Sequence, residues 1–183
     1  TRYVRLLKMS GAAKRRWGVG LKATVLGYLG DGMLSASDGF RRVPEGLTVE
    51  IRSGEFNDEF EKLGRELEAR RAVCGDRGPD YLNWRYRSGI RFEYSTITVR
   101  SENGLLAYAI LQQTGANSVT IVEFVCPENA KIEAALFRAL VDVARRTDVE
   151  SLQASCIEGG AWCSLLKRLG FAAREQSTGP VVY

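Results

Sequence analysis

The sequence predicts one α/β domain with a mixed sheet, from about Leu47 to the C-terminus. Short runs in which apolar residues alternate with polar ones indicate strands before and after two candidate helices. The second half alternates strand-like and helix-like segments, which is typical of a sheet covered by helices. The 183 residues allow one domain and an appendage, and 45% hydrophobic with 26% charged residues is an ordinary globular composition.

One strand and two helices open the predicted domain. Apolar and polar residues alternate over residues 47–51, as in a half-buried strand. Asn57 is a good N-cap for a helix whose apolar residues recur at helical spacing as far as Leu67. Turn-forming residues follow at 76–80, and residues 80–86 then predict a short second helix.

Three antiparallel strands are predicted next. Residues 92–100 and 105–113 flank an Asn-Gly pair at Gly104, which is the strongest short signal of a β-hairpin. Residues 118–126 are rich in β-branched side chains and give another strand, which ends at Pro127.

The last third predicts a crossover connection. Residues 130–147 form an amphipathic helix, residues 151–156 a short strand, and a final helix around Trp162 ends at Gly170. Closing strands are predicted at residues 171–174 and 181–183. Because a strand, helix, strand connection within one sheet is right-handed and parallel, strands 118–126 and 151–156 should run parallel.

Residues 1–46 differ from the rest of the chain, because seven basic residues precede the first acidic one, Asp31. A basic arm could favour nucleic acid or an anionic membrane surface. We prefer a connecting segment that packs on a neighbouring domain, since charge runs are usually solvated. Aromatic residues are few and irregularly spaced, so no specific nucleic-acid binding is expected. No apolar stretch is long enough to span a bilayer.

Composition excludes several kinds of chemistry. The chain has no histidine, which removes the commonest metal ligand and the usual general base, so no metal site is predicted. Its four cysteines form no CxxC pair and lie in or beside apolar runs, so we expect reduced thiols and a cytoplasmic compartment, with Cys163 as a buried structural thiol.

The element order and two motifs resemble the GCN5-related N-acetyltransferase (GNAT) superfamily over residues 47–183. One motif is Val125-Cys126-Pro127 leading into a long helix, and the other is the helix that ends in Gly170-Phe171. Residues 81–86 also resemble the second copy in bacterial proteins that carry two such domains. This resemblance implies that residues 1–46 are an inter-domain connection, with a preceding GNAT-like domain as a possible partner.

The resemblance implies acyl transfer from acetyl-CoA or another acyl-CoA to an amine, carried by a small-molecule or other acceptor. The strands at 118–126 and 151–156 should then diverge at their C-terminal ends, leaving a cleft for the donor near Val125 and Ser155. Glu123 is the candidate general base, and the alternative is a Glu that lies on the wetter face of the sheet or pairs with an arginine such as Arg85 or Arg91. The implied donor-binding residues are Phe124, Val125, Cys126, Asn129, Ala130 and Lys131.

The implied acceptor groove consists of Trp84, Arg85 and Tyr86, and the alternative is that the two rings are core residues and the arginine pairs with a carboxylate.

The sequence departs from the family pattern at the donor site. Residues 127–134 lack the glycines that let backbone amides approach phosphates, and Glu128 and Glu133 add negative charge there. Leu166 stands where many members have the Tyr that protonates the leaving thiolate. Two alternatives to an acyltransferase therefore stay open: a non-catalytic GNAT-like half that binds substrate or packs on a partner domain, and an aminoacyl-tRNA-dependent transferase.

Overall fold

The computed structural model describes residues 1–8, 44–52, 54–68, 77–86, 92–147, 149–157 and 160–174. These residues form one seven-stranded sheet of order β2-β3-β4-β5-β6-β1-β7. The strands are β1 Arg2–Leu6, β2 Thr48–Arg52, β3 Tyr94–Ser101, β4 Gly104–Gly115, β5 Ser118–Val125, β6 Ser151–Ser155 and β7 Ala172–Arg174. The helices are α1 Asp58–Glu68, α2 Pro79–Arg85, α3 Ala130–Arg146 and α4 Ala161–Arg168. None of these four helices is long and apolar enough to cross a membrane.

The predicted α/β fold with a mixed sheet is confirmed, including the parallel pair. Strands β2 to β5 form an antiparallel meander, and β5 then pairs with β6 in the parallel sense. The register of that pair runs from Ser118↔Ser151 to Ile121↔Ala154. The strand predicted at residues 181–183 lies outside the described residues.

Strand β1 is a finding that the sequence did not predict. It lies between β6 and β7 and pairs antiparallel with both, so the first residues of the presumed arm belong to the sheet. The Tyr3 side chain is buried in the core, whereas Arg2 lies on the other face. Arg2 and Arg5 are three residues apart and lie on opposite faces, so the strand shows no regular alternation of charged and apolar residues in the sequence. Residues 9–43 lie outside the described part, and the connecting role of that segment stays a prediction.

Two hydrophobic cores lie on the two faces of the sheet, and β4 contributes to both. Tyr108 and Ile110 pack under α1 and α2, whereas Ala107, Ala109 and Leu111 pack under α3 and α4. Because both faces are covered, β4 is an almost continuous apolar run. The Asn83 amide in α2 bonds both backbone groups of Phe56, at 2.7 and 2.9 Å, and so docks α2 at the start of α1.

A β-bulge in β5 positions the candidate site. Ile110 of β4 pairs with Glu123 and the next residue, Leu111, pairs with Ile121, so Val122 is an extra residue. Pairing with β6 also stops at Ile121. A bulge bends its strand and increases the local twist, and bulges are frequent next to active sites. The last residues of β5 therefore turn away from β6, as the expected divergence requires.

Candidate functional site

A cleft of about 810 Å³ opens where β5 and β6 diverge. One wall is the end of β5, and the opposite wall is α4 together with Ser155 at the end of β6. The start of α3 closes one end. Beyond Ile121, β5 has no partner on the β6 side among the described residues, so alternate backbone N–H and C=O groups of its last residues face the cleft.

An aromatic contact joins the two walls of the cleft. The Phe124 and Trp162 rings lie 4.6 Å apart between centroids, joining β5 to α4. The Trp162 indole nitrogen donates to the Ser155 carbonyl at 3.2 Å, which fixes α4 to the end of β6. An extended ligand placed along β5 would therefore lie against flat apolar surfaces.

A disulfide between Cys156 and Cys163 ties the β6–α4 loop at the cleft, with the two Cα atoms 5.9 Å apart. This corrects the expectation that these two cysteines are reduced thiols, and in particular the expectation that Cys163 is one. Their separation of seven residues matches no disulfide motif, and only the folded loop brings them together. The cytoplasmic compartment stays a prediction, and Cys74 lies outside the described residues.

Cys126 lines the cleft but is buried and chemically quiet. Burial, with a smaller contribution from the Glu133 charge, raises the pKa of its thiol to about 12. The thiol stays protonated at neutral pH, so it is a poor nucleophile. Its contribution to the cleft is therefore its small apolar volume and its backbone.

The N-terminus of α3 is already occupied by the chain's own side chain. The Asn129 side-chain oxygen accepts hydrogen bonds from the backbone N–H groups of Lys131, at 3.0 Å, and Ile132, at 3.4 Å. The Asn129 N–H donates to the Pro127 carbonyl at 2.7 Å. Of the amides predicted to hold phosphate, those of Asn129 and Lys131 are thus engaged within the protein. Ala130 lines the cleft, and Lys131 is exposed.

Charges around the same end of the cleft are mostly negative. Glu128 and Glu133 both line it, and Glu133 forms an ion pair with Arg168 at 3.3 Å. Arg168 is well exposed, with 70% of its side chain accessible, so the pair is a weak solvent-screened one. The charges and hydrogen-bond donors at this end of the cleft therefore match a pyrophosphate poorly. Residues 127–134 also contain no glycine that would let a phosphate approach the backbone amides.

Glu123 is the carboxylate of β5, and its side chain is only 17% exposed. One oxygen accepts a hydrogen bond from the Arg77 Nε atom at 3.0 Å, and the other accepts one from the Tyr86 hydroxyl at 3.0 Å. The alternative that Glu123 pairs with an arginine is confirmed, but the partner is Arg77. Arg85 instead donates a hydrogen bond to the Tyr86 hydroxyl at 3.2 Å. Arg91 lies outside the described residues. Glu123 also lines the cleft, so the ion pair and a chemical role are compatible.

Two tyrosines surround this carboxylate. Burial, and next the negative charge of Glu123, raise the pKa of Tyr86 to about 12. The same two causes, in the same order, raise the pKa of Tyr108 further. The Tyr108 hydroxyl is buried and makes no hydrogen bond of ordinary geometry with any described residue. Both phenols therefore remain neutral and can only act as hydrogen-bond donors or acceptors near pH 7.

The predicted site residues fall into two groups. Glu123, Phe124, Cys126 and Ala130 line the cleft, as the resemblance implied for donor and base. Val125 instead points to the face under α1 and α2 and is buried there, so it offers only backbone. Trp84 and Arg85 on α2 are exposed, Trp84 to 75%, whereas Tyr86, directly after the helix, is buried. A contact of Trp84 and Arg85 with an acceptor stays a prediction.

Ser155 lines the cleft, as the resemblance implied, but two other residues of the site were not identified from the sequence. Arg77 lies in a turn-rich stretch without periodicity, so nothing local linked it to Glu123. Trp162 reaches Ser155 only because β6 and α4 are adjacent in space. Leu166 is fully buried in the core, and Ser164 is the hydroxyl that α4 presents to the cleft.

Comparison with known proteins identifies the fold. No protein-family model matches the sequence, and a search of curated proteins finds no match. An aminoglycoside acetyltransferase from an uncultured soil metagenomic sample superposes with a TM-score of 0.53 at 12% identity, over 78% of this chain and 98% of its own. A tandem GNAT protein from the clavulanic acid biosynthesis pathway gives 0.51 at 18% identity, over 71% of this chain and 43% of its own.

The chain is shorter than some of the proteins it matches. One match is a functionally unknown conserved protein from Staphylococcus epidermidis, at 10% identity and a TM-score of 0.49. The aligned part is 93% of this chain and 56% of that protein. The chain therefore spans about half the length of this protein and about half the length of the tandem GNAT protein. The splayed parallel pair, the bulge in β5 and the superpositions agree: this chain has the fold of the GCN5-related N-acetyltransferases.

Proposed function

We propose that the cleft binds the extended arm of an acyl thioester along β5 and that the domain transfers the acyl group to an amine. The observation that carries the proposal is the end of β5, whose backbone faces the cleft with no partner strand on the β6 side within the described part of the chain. An arm that contains amide groups, such as pantetheine, can pair with that edge as an added strand does. Acetyl-CoA or another acyl-CoA is the donor class we favour.

The donor would be held by its arm more than by its phosphates. Asn129 engages the Lys131 and Ile132 amides, and Glu128 opposes phosphate charge. A helix N-terminus binds anions through free N–H groups, and here two of those groups are bonded internally. The nucleotide half of an acyl-CoA therefore does not fit this end of the cleft well, and we route no step through it.

Glu123 is our candidate for the base that takes the proton of the acceptor ammonium. Arg77 and Tyr86 use one lone pair on each of its oxygens, and a carboxylate has about four such acceptor sites. The amine nitrogen then bonds to the acyl carbon, the carbon–sulfur bond breaks, and the second proton lost by the nitrogen passes through water to the leaving thiolate. No tyrosine on α4 supplies that proton, since Leu166 is buried in the core.

A second candidate is a non-catalytic half of a longer tandem protein, which binds substrate or packs on a preceding GNAT-like domain. The capped α3 N-terminus and the surplus of carboxylates favour it, because both weaken a phosphate site. In this case the cleft persists as a feature of the fold without a thioester ligand.

Calorimetric titration of the chain with acetyl-CoA and with S-acetyl-pantetheine separates the two candidates. Our proposal expects the two ligands to bind within about tenfold of each other, because the shared arm carries the affinity. Phe124→Ala should weaken both, while Phe92→Ala, the same truncation at an exposed residue outside the cleft, should not. Absence of binding at millimolar concentrations of either ligand would favour the non-catalytic half.

A further inference from the structure

A second, smaller groove of about 350 Å³ lies over strands β4, β5, β6 and β1 and shares only Ser155 with the lining of the cleft. We call it the Arg2 groove, after its only charged lining residue among those described. Its lining is otherwise hydroxyl and amide groups: Thr114, Ser118, Thr120, Gln153 and Ser155.

Strand register explains why these side chains share one face. Arg2 pairs with Ser155 across β1 and β6, and Gln153 pairs with Thr120 across β6 and β5. Residues paired directly across strands project to the same side of a sheet. The neighbours of Arg2 and Gln153 along their strands, Tyr3 and Leu152, are buried in the core on the opposite face.

The Arg2 guanidinium is incompletely satisfied in the protein. Its Nε atom is buried and has no hydrogen-bond partner, and no ion pair with a described residue compensates it. A buried donor left unbonded costs free energy, most of all in a charged group. Such a group is stabilised by an anion that enters the groove.

Arg174 adds a second, independent indication. It is the residue directly opposite Arg2 across β1 and β7, so both side chains project from the same face. Like charges directly opposite each other destabilise a sheet. No carboxylate lines the groove within the described residues, in contrast to the cleft with its three glutamates. Arg174 does not line the groove, but an anion bound beside Arg2 would offset the positive charge that the two arginines share.

Hydroxyl groups complete the groove. Thr114 Oγ1 lies 3.0 Å from Thr120 Oγ1 and 3.4 Å from Ser118 Oγ, so the three form a short hydrogen-bonded chain. A hydroxyl donates one hydrogen and accepts two, so the end of such a chain can still donate to an oxyanion. Planar guanidinium groups bind carboxylate and phosphate oxygens in pairs, and the polar lining suits both.

Ser155 connects this groove to the cleft, because it lines both. We propose that the Arg2 groove binds an anionic group, a carboxylate or a phosphate, of the acyl acceptor, whose amine enters the cleft past Ser155. The assignment of this anion to the acceptor rests on the proposed function; the anion site itself does not. The acceptor class that follows is a small amine with a carboxylate or phosphate a few bonds from its nitrogen.

The test begins without any thioester. Inorganic phosphate and acetate are titrated separately, at constant ionic strength set with chloride, while amide and arginine side-chain NMR signals are followed. Arg2, Ser155 and Gln153 signals should shift saturably with at least one ion, and the ion that binds more tightly identifies phosphate or carboxylate as the source. Arg2→Gln should weaken binding by about tenfold, as expected for loss of a charged hydrogen-bond donor.

Two further variants make the result decisive. Arg146→Gln removes the same charge from an exposed position at the end of α3 and should leave anion affinity within about twofold. Arg2→Lys keeps the charge and the strand pairing, and should bind with intermediate affinity. Equal weakening by Arg2→Gln and Arg146→Gln, or no shift of the groove signals with either ion, would overturn the site.

Failure of the two proposals can be told apart. If the anion binds in the groove but S-acetyl-pantetheine does not bind in the cleft, the proposed acyl transfer fails and the anion site stands. If both bind, Arg2→Gln should raise KM for an anionic amine by about tenfold and leave that of an uncharged analogue unchanged. An equal effect on both amines would remove the acceptor assignment.

Discussion

The Tyr86 hydroxyl donates a 3.0 Å hydrogen bond to the Glu123 carboxylate, joining the end of α2 to the bulged part of β5. Tyr86 is 5% exposed and packs against the Phe56 and Tyr94 rings, at centroid distances of 6.3 and 5.4 Å. The position of Glu123 at the cleft is therefore set by the core under α1 and α2.

Alkaline unfolding should report the burial of the Tyr86 hydroxyl beside the Glu123 charge. Because the pKa of Tyr86 is raised to about 12 in the folded protein, the folded state keeps a proton that the unfolded chain loses near pH 10. The stabilisation is present below about pH 10 and is lost as the pH rises to about 12. Urea unfolding across this range should show a smaller loss for Tyr86→Phe than for wild type. Tyr81→Phe, on the same helix, is the control and should follow wild type.

Glu123→Gln should destabilise the protein by about 1.5 to 3 kcal/mol, because a partly buried guanidinium loses its charged partner. Arg77→Gln should cost a similar amount, and the double variant less than the sum of the two. Urea denaturation of all four proteins gives the coupling energy. Additive effects would mean that the ion pair contributes nothing to stability. If Glu123 is also the base, Glu123→Gln lowers kcat by about a hundredfold or more.

Replacing Asn129 separates capping from ligand binding. Asn129→Gly removes the side chain that engages two α3 amides, and glycine is a tolerated N-cap, so the stability cost should be only a few tenths of a kcal/mol. The freed amides should tighten acetyl-CoA binding and leave S-acetyl-pantetheine binding unchanged, as calorimetry can measure. Asn129→Asp keeps the cap and adds a negative charge, so it should weaken acetyl-CoA binding. Unchanged acetyl-CoA affinity in Asn129→Gly would show that phosphates do not approach α3.

Glu128→Gln should tighten CoA binding by at most about 1 kcal/mol, since the residue is exposed and its charge is screened by solvent. Titrations with CoA and dephospho-CoA at low salt would show whether the gain depends on ligand charge. A gain that persists at high ionic strength would have to come from something other than charge.

Local patterns predicted most of the fold. Helix α3 and strands β3 to β5 were recognisable because their periodicity lies within a few residues, and the Asn-Gly turn fixed the hairpin at Gly104. Strand β1 could not be predicted in the same way, because its partners in β6 and β7 are far away in sequence and its arginines mimic a solvated arm.

The site was less predictable than the fold, for physical reasons. Asn129 was assigned to the donor because amides at a helix start can bind anions, yet the same side chain is a strong N-cap and engages those amides itself. Arg77 and the Cys156–Cys163 disulfide depend on side-chain geometry that no spacing rule encodes. The crossover connection predicted the parallel pair, and the family resemblance implied where that pair diverges to leave a cleft.

The position of β1 between β6 and β7 also bears on how the chain folds during synthesis. Arg2 is translated about 150 residues before its partner Ser155 and about 170 residues before its partner Arg174. Until then, β1 must wait as an unpaired basic strand while β2 to β5 and α3 can already assemble. Docking of β1 between β6 and β7 therefore closes the sheet as a late, long-range event. A nascent chain that stalls before residue 151 would expose both the strand and the β5 edge to other polypeptides or to chaperones.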